Sequence, residues 1–230
     1  MIEAFGYRWT ASMEGGRIIH PDEPWMWYDY ESVFTENGTA ELIAHNEKRT
    51  VKFWEGSVFK PTVACGVMRS VETFGYGTFS AEIKLPKGKN LWPSFWLVGD
   101  GHWPDSGEID ICEAETNGMG LYYRFPLGWK TTNNVHYALD GEHKQIKMKN
   151  ISILKQIYNP SNKFIKYEAE WRPNKITFFV NGKTAREVGW DVTRHFVGER
   201  MHVIFNTKTT SEHYTCDTPM IVRKFKYEEL

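Results

Sequence analysis

Three acids, Glu108, Asp110 and Glu113, sit in a short run, EIDICE, that is otherwise apolar. Side chains alternate along a strand, so Glu108 and Asp110 share a face. Glu113 lies five residues from Glu108, an odd spacing that in a regular strand points it the other way. One extra residue near Ile111 or Cys112, a β-bulge, returns it to the acidic face. Like charges this close cannot all ionise, so at least one carboxyl is pushed upward in pKa. One carboxylate can then act as nucleophile while another stays protonated as general acid. Retaining glycoside hydrolysis uses such a pair about 5–5.5 Å apart. Three tryptophans, Trp92, Trp96 and Trp103, precede the acids. Pyranose rings stack their C–H faces on indole, and the indole N–H can bond a hydroxyl. The competing readings of the acids are a solvated strand face and a Ca²⁺ or Mg²⁺ site. Trp96, between Phe95 and Leu97, is expected in the core, whereas Trp92 and Trp103, beside prolines, are expected in the cleft.

Strands must position these groups. FGYGTFSAEIKLP alternates Phe79, Ala81, Ile83 and Leu85 against Ser80, Glu82 and Lys84, a half-buried strand ending at Pro86. LWPSFWLV supplies the next strand, and the acidic strand follows after the loop GDGHWPDSG. Asn37-Gly38 and Asn181-Gly182 each sit between apolar runs and signal two-residue hairpins. Further strands are expected at 51–59, 63–69, 135–139, 201–207 and 219–227, in KQIKMKNISI and in KFIKYEAEW. Residues 1–35 read as irregular, and DVTRHFVG as one short helical turn. Many short strands with regularly spaced turns predict an all-β antiparallel sandwich, one domain over residues 1–230.

Composition bounds the partners. The chain of 230 residues has a formal net charge of −1, which argues against a nucleic-acid partner. No apolar run is long enough to span a bilayer, so no membrane association is expected. Ten tryptophans exceed what packing alone requires. Cys65, Cys112 and Cys216 are far apart and odd in number, and are expected as free thiols. No cofactor and no metal are expected. The N-terminus carries no basic start followed by an apolar run, so no signal peptide is read there.

FGYGTFSAEIKLP, LWPSFWL and WPDSGEIDICE, in that order, resemble glycoside hydrolase family 16, the laminarinase and β-glucanase-like enzymes. EIDICE is similar to the branch whose catalytic strand carries a bulge. YEAEWRPNKITFFVNGK and HVIFN extend the resemblance over roughly residues 60–227. It implies a β-jelly-roll of two curved antiparallel sheets, concanavalin A-like, with substrate across the concave face. It implies retaining, endo-acting hydrolysis, with Glu108 as nucleophile, Glu113 as general acid/base and Asp110 as the assisting acid. Trp92 and Trp103 match positions that contact sugar. His136 borders the cleft, Trp171 and Asn206 match positions at or behind it, and Arg124, with Tyr122, Tyr123 and Trp129, could shape substrate choice.

Departures from the family pattern carry expectations too. Ser80 and Glu82 stand where Glu and Arg are common, so a supporting ion pair is expected to be missing. Arg223 replaces an Asp that helps bind a structural calcium in many members, so that site is expected to be absent. The polysaccharide partner is expected to be a β-1,3- or mixed-linkage β-1,3-1,4-glucan, cleaved by a monomer. A β-galactanase on agar- or porphyran-like or host glycans is the alternative, with Arg69, Arg124 and Arg194 as candidates for sulfate recognition. A non-catalytic lectin-like domain is the competing class. The substrate class implies a secreted or periplasmic protein.

Overall fold

The computed structural model describes residues 1–13, 16–19, 22–52, 56–116, 131–146 and 160–230, together with the backbone of 124–125 and 128–129. The principal strands of the first half are β1 (Ile2–Ala4), β2 (Tyr7–Thr10), β3 (Val33–Glu36), β4 (Thr39–Leu42), β5 (Val63–Ser70), β6 (Gly77–Lys84), β7 (Leu91–Gly99) and β8 (Glu108–Glu113). The second half adds β9 (Thr132–Leu139), β10 (Glu142–Gln145), β11 (Ile165–Arg172), β12 (Lys175–Val180), β13 (Lys183–Val188), β14 (Met201–Thr209) and β15 (Met220–Glu229). One sheet runs β1-β2-β5-β14-β7-β8-β9-β10 and the other β13-β12-β11-β6-β15-β4-β3, each antiparallel along that path. The fold is a β-jelly-roll sandwich.

Alternation decides what lies between the sheets. Phe79, Ala81 and Ile83 of β6 face Phe95 and Leu97 of β7 and Val203 and Phe205 of β14 in one continuous core. The Phe95 and Phe205 rings stack at 4.6 Å. Truncating either to alanine would cost about 3–5 kcal/mol. The hairpins at Asn37-Gly38 and Asn181-Gly182 form with all four residues at positive φ. Two-residue turns of this hand match the twist of the strands they join.

A second apolar cluster explains why only part of the first sheet is open. Val63, Cys65, Val67 and Ile204 point outward from β5 and β14 and are covered by Met26 and Tyr28. Met26–Tyr28 is itself a short strand laid parallel to β5. The outer faces of β7, β8 and β9 lie beyond this cover.

Several expectations need correction. Residues 1–35 are not irregular throughout, because β1 and β2 form a hairpin around Phe5-Gly6, both at positive φ. That turn was illegible because Phe is an uncommon residue at such a position. The run 51–59 forms two short pieces, Val51–Lys52 and Val58–Phe59, and most of KQIKMKNISI lies outside the described residues. The ion pair expected to be missing at Glu82 is present in other hands: Arg223 and Lys224 donate to its two oxygens at 2.7 and 2.8 Å. The register of β6 on β15 sets Glu82 opposite Arg223, so two departures from the family pattern answer each other. The helical turn is found as Trp190–Thr193, continued by a 3-10 turn over Arg194–Phe196. Among the described residues no helix is long and apolar enough to cross a membrane.

Candidate active site

The three acids emerge on the open face of β8 because the strand carries a bulge. Asp110 pairs with Asn134 and Glu113 with Thr132, so Ile111 and Cys112 together oppose a single residue of β9. The same irregularity appears against β7, where Phe95 faces Cys112 and Trp96 faces Asp110. Ile111 and Cys112 both turn inward and are buried, which returns Glu113 to the side of Glu108 and Asp110. Gly107 sets the approach to β8. It has φ +77°, and a Cβ there would lie 2.6 Å from the Phe196 ring, so the turn before Glu108 demands glycine.

A depression of about 200 Å³ lies over these strands, lined in part by Glu108, Asp110, Glu113, His136 and Asn206. Two indoles hold the outer acids. Trp103 Nε1 donates to Glu108 Oε2 at 2.7 Å, and Trp92 Nε1 donates to Glu113 Oε1 at 3.1 Å. Asp110 is the most enclosed acid, 3% exposed. His136 Nε2 lies 3.3 Å from Asp110 Oδ2 and 3.7 Å from Glu108 Oε1. Its other nitrogen, Nδ1, shares a hydrogen bond of 2.8 Å with His143 Nε2, and the two imidazoles are stacked. His143 also packs on Trp103 at 4.6 Å. Burial, with the charges of His136 and Lys144, lowers the His143 pKa and favours its neutral form.

Burial is the largest influence on Glu108, followed by the charge of Asp110, and together they push its carboxyl up to about 8. His136 and the Trp103 N–H pull it the other way. The two neighbouring acids therefore hold one proton between them at neutral pH. Glu108, Asp110 and His136 each offer a ligand atom within 4.8 Å of the others, as do Asp29, His45 and Glu47 elsewhere. In the second group His45 is already bound to Glu47 at 3.1 Å and to the Ser32 hydroxyl at 3.4 Å.

The other candidates separate clearly. Trp92, His136 and Asn206 line the depression, and Trp103 stands at its edge on Glu108. Asn206 Oδ1 accepts from Trp96 Nε1 at 2.7 Å. Trp96, expected in the core, also lines the depression, because it shares parity with Trp92 and Ser94 on the open face while Phe95 and Leu97 face inward. Trp171 is the converse. It belongs to β11 of the opposite sheet, is 0% exposed, and packs on Tyr76 and Phe196 in the core. A substrate contact for Trp171 is therefore withdrawn. The side chains of Arg124, Tyr122, Tyr123 and Trp129 lie outside the described residues. Arg69 and Arg194 are not among the residues lining the depression. Sequence reading missed His143, Glu23 and Lys208. His143 was within reach, since the hairpin after the His136 strand sets it opposite Ala138, on the same face and diagonal to His136, but the other two meet only through the fold.

Comparison with known proteins bears on this arrangement. The family model for glycosyl hydrolases family 16 matches residues 21–217. A glucan endo-1,3-beta-glucosidase from Cryptopygus antarcticus is 52% identical over 89 residues, covering 35% of this chain and 33% of that protein. The clotting factor G alpha subunit of Tachypleus tridentatus is 26% identical over 185 residues, covering 78% of this chain and 24% of that protein. The chain thus spans about a quarter to a third of the length of these relatives. Among solved structures, the catalytic domain of an endo-1,3-beta-glucanase (laminarinase) from Thermotoga petrophila superposes with a TM-score of 0.60 at 20% identity, covering 89% of this chain and 84% of that one. At that identity the likeness speaks for the fold.

Proposed function

The chain belongs to glycosyl hydrolase family 16, and from that premise we propose that it cleaves a β-linked glucan internally, with retention of configuration. The observation that carries the reading is the bulge in β8, which sets Glu108, Asp110 and Glu113 on one open face with an indole N–H on each outer acid. Glu108 attacks the anomeric carbon while Glu113 gives its proton to the departing oxygen. Water then attacks the glycosyl–enzyme, Glu113 takes its proton, and Glu108 leaves. Glu108 must be charged to attack, so the form of the pair that reacts is the one with the shared proton on Asp110. Two features favour that distribution. The Trp103 N–H can only stabilise charge on Glu108, and Asp110 is the more deeply enclosed carboxyl.

The chemistry of the floor supports a sugar ligand, and the endo-1,3-beta-glucosidase relative supports β-1,3-linkage over the galactan alternative. Binding alone gains little from crowding three acids, which weighs against a lectin-like role. We assign residues 1–230 as one catalytic unit that works as a monomer, in a secreted or periplasmic setting where such polymers are met.

Reducing-sugar release from laminarin and mixed-linkage glucan tests the reading. Glu113→Gln should lower the rate about 10²–10⁴-fold, and Glu108→Gln should remove turnover, with both variants folded by circular dichroism. Full activity in Glu108→Gln would overturn the nucleophile assignment. First release of the inverted anomer, followed by NMR, would overturn retention.

A further inference from the structure

Beside the three acids lies an ion pair between residues 185 positions apart: Lys208 Nζ donates to Glu23 Oε1 at 2.8 Å. The ammonium also sits 4.2 Å from the centre of the Trp92 ring, whose N–H holds Glu113. The two side chains are 21% and 16% exposed, largely withdrawn from bulk water, and Lys208 lines the depression. Lys208 is the one full cation among the described residues lining that depression. Alone, an ammonium resting on an indole would draw in an anion. Here Glu23 already occupies it, and Glu108, Asp110 and Glu113 add further carboxyls nearby.

The balance decides which sugars fit. A sulfate or carboxylate on an incoming unit meets the carboxylates of Glu108 and Glu23 against one ammonium that Glu23 already neutralises. An uncharged sugar finds a donor in Lys208 for one of its hydroxyls and no charge that it must offset. We propose that the Glu23–Lys208 pair is a specificity element that accepts an uncharged sugar unit beside the catalytic acids and turns away sulfated or uronic ones. The inference rests on the reading of this face as a glycan-cleaving cleft, and it selects a neutral polymer over a sulfated galactan.

Laminarin and the same polymer chemically sulfated form a matched pair of probes. Wild-type protein should cleave the neutral form with kcat/KM at least about tenfold higher. Glu23→Gln, which keeps the shape, frees the ammonium. It should lower KM for the sulfated form and narrow the preference about tenfold or more. Lys208→Gln should weaken laminarin binding without gaining the sulfated form. A purely structural pair would shift both substrates alike, so an unchanged ratio in Glu23→Gln overturns the proposal, as does equal cleavage by wild type. If wild type cleaves neither polymer, the glucan reading fails, and retention on agarose against κ-carrageenan gels reads the preference instead. Retention on the neutral gel alone supports the inference; retention on the sulfated gel, or on neither, overturns it.

Discussion

On the outer face of the second sheet, Glu82, Glu170 and Glu187 each hold a cation at salt-bridge distance: Arg223 with Lys224, Arg172, and Lys175. On the open face of the first sheet, Glu108 and Asp110 face each other with one histidine between them. Strand alternation turned both rows outward. Their acid strengths then move in opposite directions. The Lys224 and Arg223 hydrogen bonds pull Glu82 below the ordinary carboxylate range, as the Arg172 hydrogen bond does for Glu170. Burial, then Asp110, drives Glu108 up to about 8. The difference is one of partners and enclosure. An exposed glutamate with a neighbouring cation is a solubilising group worth little to stability. An enclosed glutamate beside another acid has become a proton-holding device.

That comparison can be broken at its centre first. Asp110→Asn removes the second acid while keeping the shape, and activity should fall about 10²-fold or more. The Glu108 pKa should drop below about 8 yet stay above 4.5, because burial is the larger cause and remains. Carbon-detected NMR of the carboxyl would check both halves, and an unmoved pKa would mean the two acids are not coupled.

A smaller effect concerns stability. The Glu108 carboxyl is raised from 4.5 to about 8, so the folded protein keeps a proton that the unfolded chain releases. Its contribution is fully present below pH 4.5 and is lost as pH rises through about 8. Melting temperature should therefore fall over that window in wild type, and fall less in Glu108→Gln. Parallel curves for the two proteins would remove the elevated pKa from the account.

The smallest effect is expected on the other face. Glu170→Gln dissolves an exposed pair, should leave glucan hydrolysis unchanged, and should move Tm by no more than about 2–4 °C. A larger loss would show that the second sheet's ion pairs matter more than their exposure implies.

Much of this was legible in the chain. Period-two alternation identified β6 and β8, an apolar run identified β7, and Asn-Gly pairs marked two hairpins, because these signals are local. The bulge was legible from an odd spacing, since a buried face tolerates no slip of register. Trp96 was misjudged although the same parity rule covers it; apolar flanking residues outweighed the period. Trp171 was misjudged for another reason. A tryptophan in a strand has two faces to choose from, and only the docking of the opposite sheet shows which one is the core.

The sequence by itself determined most of the strands, the bulge that turns three acids to one side, and the family. These follow from neighbours in the chain and from the backbone's two-residue period. Only the tertiary structure decided the proton-sharing environment and the ion pair at the cleft. Enclosure of Glu108, the stacking of His143 on Trp103 and the union of Glu23 with Lys208 all depend on surfaces brought together from distant segments. Charge and dielectric are properties of that three-dimensional neighbourhood, and no spacing along a strand contains them.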